Sequence, residues 1–341
     1  MRRIGLGEAA FAASKYSKER NFWVKKLSGE LPKSRFPYDY IKTGISKYQK
    51  DTLELRLPAE IVTKLITLSN TSDARLYIIL VTVLVVLIHK YTGDTDVIVG
   101  SPVYKQDSEG KFINTVLALR NRFNANMTFK ELLLQVRQTV IEANSNQNYP
   151  FELLLKDLNE TTSENNGFPL FKVAILLENI YNARDLQNID LDMIFSFKKR
   201  GEFLEGYVEY NSLLYERTTI ERMVKNLEHL LYEVLFNIDI QVSGIEAASG
   251  EEKTRVLFAF NDTKTEFPGN KSVPELFEEQ AAKTPDHIAV VGAESSSGET
   301  IQITYRLLNE KVNQLAGFLR KKGVKPDTSV GIMMDPSIEM I

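Results

Sequence analysis

At 341 residues the chain has room for about two domains, and its 43% hydrophobic and 26% charged content is a globular balance that excludes collagen, low complexity and wholesale disorder. Lys plus Arg number 42 against 45 Asp plus Glu, so the net charge of -3 supplies no electrostatic footprint for nucleic acid or an anionic membrane surface. With no cysteine, disulfides, thiolate catalysis, Fe–S clusters and Cys-type zinc sites are excluded, an absence that fits a reducing, cytoplasmic setting.

The first residues carry two arginines, but Glu8 and Lys15 break the apolar block, so no secretory signal is read there. Ile61, Leu65 and Leu68 share one face at helical spacing and predict an amphipathic helix over 58–68. Residues 76–91 predict a second helix, apolar all round and therefore central, closed by the turn Thr92-Gly93-Asp94. Its apolar core, Leu76 to Ile88, falls short of the roughly 20 residues needed to cross a bilayer. DVIVGSPV, residues 96–103, then reads as a buried strand.

A capping box at Thr128 and Glu131 opens a helix running to about Ala143, and Thr218 with Glu221 predicts a second such start. Between them FKVAILLENI, LDMIFSFK and FLEGYVEYN are strand-like, which makes an α/β sandwich. Residues 246–272 change character, with small and charged residues around a short apolar island and a turn at Pro268-Gly269-Asn270, and read as a linker between domains. A third capping box at Ser272 and Glu275, with Pro274 in the first turn, opens another helix. Two strands, HIAVV and IQITY, a helix ending at Gly323 and a strand at TSVGIMM follow.

The three histidines, His89, His229 and His287, are widely separated, and none has the spacing of a metal-binding pair. The loop Ser295 to Thr300 precedes a strand, whereas a phosphate cradle opens a helix, so it reads as a hairpin turn. No metal site and no catalytic residue are assigned.

Residues 110–120, GKFINTVLALR, and 146–152, NQNYPFE, resemble two signature motifs of the condensation domains of nonribosomal peptide synthetases, G-x-F-V-N-T…R and (H/N)-Q-D-Y-P-F-E. Three flanking stretches agree in order: NFWVKKLSGELPKSRFPYDY, DVIVGSPV, and FPLFKV in the place of a last motif of which Pro169-Leu170 survive. The text from FNDTKTEFPGNKSVPELF through ITYRLL to the end resembles the start of the adenylation domain that commonly follows, with Leu307 where that family's first core motif has Glu. Asn148 stands for the usual Asp.

The resemblance implies an α/β (α+β sandwich) chloramphenicol-acetyltransferase-like C-terminal lobe over residues 1–245. A linker over 246–272 and a truncated N-terminal piece of an adenylate-forming domain over 273–341 complete the expected layout. It implies tunnel or motif roles for Asn114, Arg120, Asn146, Gln147, Pro150, Phe151 and Glu152. Condensation domains also carry an H-H-x-x-x-D-G motif whose second His assists amine attack on a thioester, and this chain has no adjacent His pair. The expectation is therefore a chain inactive alone that works with peptidyl carrier domains, a condensation N-terminal lobe and the rest of an adenylation domain. Phosphopantetheine would enter as the carriers' arm, and ATP with Mg only in a complete adenylation domain; the chain itself is expected to bind no cofactor. Two other readings stand beside this one: a non-catalytic scaffold remnant preceding an adenylation (loading) module, and a gene fragment without an independent role. The expected vacant face of the first unit is apolar and strand-rich, drawn from GKFINTV and the 168–196 strands.

Overall fold

The computed structural model describes residues 15–40, 48–103, 116–158, 169–186, 189–248, 250–266, 269–293, 300–334 and 337–340. The chain divides into two compact units, Met1–Asn261 and Asp262–Ile341.

The first unit is a helix-backed mixed sheet. Helix α1 is Ser17–Leu27, strand β1 Lys50–Arg56, α2 Ala59–Leu68, α3 Asp73–Thr92, β2 Asp96–Pro102 and β3 Val116–Arg122. Then follow α4 Phe129–Ser145, α5 Phe151–Asp157, β4 Val173–Leu177, β5 Met193–Arg200, β6 Phe203–Asn211, α6 Arg217–Phe236 and α7 Gly250–Thr254. The six strands are ordered β1-β6-β5-β4-β2-β3. β4 runs parallel to β2 and β5, and the remaining pairs are antiparallel. The link between β2 and β4 is a single bridge, Gly100 to Ala174. There the ring of Phe171 lies over Gly100 so closely that a Cβ would stand 2.2 Å from its Cε2, so only glycine fits.

α3 is the central helix, as its all-round apolar pattern predicts. Leu76 to Ile88 are buried apart from half-buried Ile78, between a Ser72 N-cap and Gly93, whose φ of 79° closes the helix. It is longer than the apolar run because polar residues continue it at both ends. Among the described residues it alone has the length and hydropathy to cross a membrane, and 67% of its apolar window is buried inside the protein.

Three expectations need correction. Thr218 and Glu221 do not form a capping box, because α6 begins two residues earlier, with Glu216 as N-cap and no cap from its own side chain. Asp39 does that work from far away in sequence: its carboxylate accepts the Glu216 amide at 2.8 Å and the Thr219 hydroxyl at 3.0 Å. Second, the 173–177 strand is buried along its length, so no exposed apolar face is found there. The large apolar side chains exposed on the sheet are Phe203 and Tyr207 of β6. Of GKFINTV, only Val116 lies among the described residues. Third, part of the stretch read as a linker is helical, with α7 continuing as a π turn over Arg255–Ala259.

The second unit consists of α8 Val273–Lys283, the antiparallel pair β7 Ile288–Ala293 and β8 Thr300–Thr304, and α9 Tyr305–Lys321. The capping box at Ser272 and Glu275 forms as expected. Residues 328–334, expected as a strand, form no strand pair among the described residues and expose Val330, Ile332 and Met333. Most of the loop read as a hairpin turn lies outside the described residues, but the strands flanking it do pair antiparallel.

Candidate functional site

The two signature segments lie on either side of α4. Arg120 sits near the end of β3, and its side chain is only 1% exposed. Its Nε donates to Asp96 Oδ1 at 2.9 Å and its Nη2 to Asp96 Oδ2 at 2.7 Å. Nη1 donates to the Ser28 carbonyl at 3.0 Å, and Nη2 also reaches the Glu30 carbonyl at 2.7 Å. Arg122 adds bonds to Asp96 at 3.0 Å and Ser28 at 3.3 Å. Burial works against the Asp96 charge, but the hydrogen bonds and nearness of two guanidiniums prevail and hold its carboxyl below the ordinary range. The motif arginine is therefore a clamp between the sheet edge and the chain that follows α1, with four of its five N–H donors bonded inside the protein.

In the second segment Asn146 ends α4. Its side-chain amide donates to the Glu142 carbonyl at 2.8 Å, and its own carbonyl accepts the Trp23 indole N–H at 2.7 Å. Gln147 is half-buried. Pro150, buried, is the N-cap of α5, and its carbonyl accepts the amides of Leu153 and Leu154. Phe151 is buried in the first turn, while Glu152 is half-buried where a negative charge favours the helix start. The Tyr149 hydroxyl donates to Asp157 at 2.6 Å, and Arg20 of α1 grips the same carboxylate with two bonds of 2.9 Å. Burial opposes the Asp157 charge here too, and Arg20 with Tyr149 outweighs it, so this carboxyl also titrates low.

Asn114 lies outside the described residues. Among the other motif residues, Arg120 pairs with Asp96 and Tyr149 with Asp157, both bonds fastening the fold. The histidines stay apart: His89 bonds the Asp94 carbonyl at 2.8 Å, His229 stands 3.8 Å from Glu233 and His287 is exposed. Among the described residues no group of three or more His, Asp or Glu is placed to hold a metal. Sequence reasoning passed over Arg20, Trp23, Asp39, Asp96 and Asp157. The available signal was an aspartate opening an otherwise apolar strand and the chain's one tryptophan in a helix rich in charged residues.

The six-stranded mixed sheet backed by helices defines an α/β acyltransferase-like lobe, and comparison with known proteins identifies its family. A condensation-domain profile matches residues 7–257, and an AMP-binding enzyme profile matches 277–341. The chain belongs to the condensation-domain family and continues into the start of an AMP-binding domain, in the manner of nonribosomal peptide synthetases. It is 36% identical to bacitracin synthase 1 of Bacillus licheniformis over 95% of its length, and 34% identical to gramicidin S synthase 2 of Brevibacillus brevis over 97%. It spans only 6% and 8% of those two proteins. Among solved structures, a four-domain nonribosomal peptide synthetase, AB3403, bound to AMP and glycine aligns with a TM-score of 0.68 at 17% identity. That alignment covers 95% of this chain and 27% of the other. The X-domain from teicoplanin biosynthesis in complex with OxyB gives 0.61 at 20% identity, over 70% of this chain and 58% of that one. These likenesses establish the fold.

Proposed function

We propose that the first unit serves amide bond formation between aminoacyl or peptidyl thioesters held on phosphopantetheine arms, contributing one tunnel wall and one carrier-facing surface. The second unit begins an amino-acid adenylation domain that would use ATP and Mg once complete, and the whole acts in the cytosol. The observation that carries this reading is the ordered occurrence of both signature segments on a condensation fold, in a chain without the His pair that the reaction needs.

On this reading the protein works with carrier domains, a lobe bearing the His motif and the remainder of an adenylation domain, while binding no cofactor of its own. Residues 1–245 form the condensation lobe, 246–272 the join and 273–341 the adenylation start. The end of the condensation match at 257 and of the first unit at Asn261 support a join inside that range. Gln147, half-buried with its side-chain oxygen enclosed, and half-buried Glu152 are the motif side chains assigned to substrate or carrier contact, and Asn114 joins them by its motif position.

The test is an amide-forming assay with carrier-bound substrates. The chain alone is expected to show no turnover, and turnover is expected on adding a matched lobe with the His motif. Turnover by the chain alone overturns the proposal. A scaffold reading is favoured by one observation, the burial of Arg120 with four of its donors bonded inside the protein, and absence of rescue by any matched lobe would decide for it.

A further inference from the structure

Residues 17–40 touch both signature segments. α1 braces the second: Trp23 holds the Asn146 carbonyl, Arg20 grips Asp157 and through it Tyr149, and Lys26 approaches Glu142 at 3.5 Å. Immediately after α1, the Ser28 and Glu30 carbonyls are held by Arg120 of the first segment. The strap then continues across the lobe. Ser34, buried at a φ of 36°, accepts the Ile98 amide on its Oγ at 2.8 Å. The carbonyl of fully buried Phe36 accepts the Tyr215 hydroxyl at 3.3 Å, the Tyr38 hydroxyl donates to Asp192 at 2.6 Å, and Asp39 caps α6.

Two features make this more than a list of fastenings. Arg20 and Trp23 lie on the same short helix whose exit is the Arg120 clamp, so a rigid element of 11 residues joins the two sites. Trp23 and Leu27 are buried, which keeps that helix from sliding without repacking. We propose that α1 and the 28–40 strap form a positioning belt that couples the two signature segments, so that loosening the Asp96–Arg120 clamp loosens the 146–158 segment, and the reverse. Neither segment then needs a titratable side chain in contact with the other.

Amide hydrogen exchange on the whole chain tests this. Asp96→Asn is expected to speed exchange in residues 146–158 by about fivefold or more, the lower range of coupling between sites. Because coupling is reciprocal, Arg20→Gln is expected to speed exchange at 28–34 and 116–122 by a similar factor. Exchange in 76–88 of α3 reports global opening and should stay unchanged. Thr128→Ala, which weakens the cap of α4 away from the belt, should leave the first segment alone. If Asp96→Asn opens α3 as well, Arg122→Gln, which removes only the exposed arm of the clamp, is read in its place. Changes confined to the altered site, the same pattern from Thr128→Ala, or exchange raised everywhere by every variant would overturn the belt.

Discussion

The two units are built from equally clear local signals and end in different physical states. The first gathers its elements around one continuous core from Trp23 to Ile245. The second has capped helices and a paired hairpin, yet among its described residues only Ala281, Ile303 and Ile338 are buried hydrophobics. α9 has an apolar side in Leu308, Val312, Leu315 and Leu319 and buries none of them. Caps and periodicity thus suffice to draw a helix, but burial requires another layer to pack against.

If burial and internal bonding are what distinguish the first unit, the largest loss should come from its most enclosed charge. Arg120→Ala leaves Asp96 short of its main partner, removes the Arg120 bond to the Glu30 carbonyl and leaves the Ser28 carbonyl to Arg122, and is expected to cost about 3–5 kcal/mol in denaturant unfolding. A cost below about 1 kcal/mol would show that the clamp is ornamental. The same clamp predicts an acid limit. Asp96 and Asp157 both titrate below their ordinary values when folded, so their stabilisation is complete above the usual carboxyl range near pH ~4 and is lost as pH falls through the folded values. Thermal melts of Asp96→Asn should depend less steeply on pH there than those of the parent chain.

Gly100→Ala comes next, at about 2–3 kcal/mol, because the new methyl meets the buried ring of Phe171. Phe171→Leu in the same chain should recover part of the loss, and strictly additive effects would dispose of the close contact as the cause. Asp39→Ala should cost about 1 kcal/mol as a lost helix cap, with faster amide exchange in the first turn of α6. The smallest effect belongs to the second unit. Leu315→Lys should change stability by less than about 0.5 kcal/mol, whereas Leu132→Lys, at a fully buried position of α4, should prevent folding. A melt strongly lowered by Leu315→Lys would erase the contrast between the units.

Much of this protein was legible in order along the chain. α3 follows from an apolar run too continuous for a surface helix, α4 and α8 from capping boxes whose bonds are local, and the condensation and adenylation families from motifs in sequence order. What the sequence could not determine by itself was every feature whose partner is distant. Asp39 caps a helix whose N-cap residue, Glu216, lies 177 positions later, whereas adjacent residues point to Thr218. Arg120 resembled a motif residue free to meet a ligand, but its fate was set by Asp96 and two carbonyls after α1. The 328–334 segment has the residues of a strand and meets no partner strand among the described residues. Periodicity and caps act over one or two turns, so sequence alone carries them. Burial, charge pairing and strand order depend on which surfaces the folded chain brings together, and only the tertiary structure decides that.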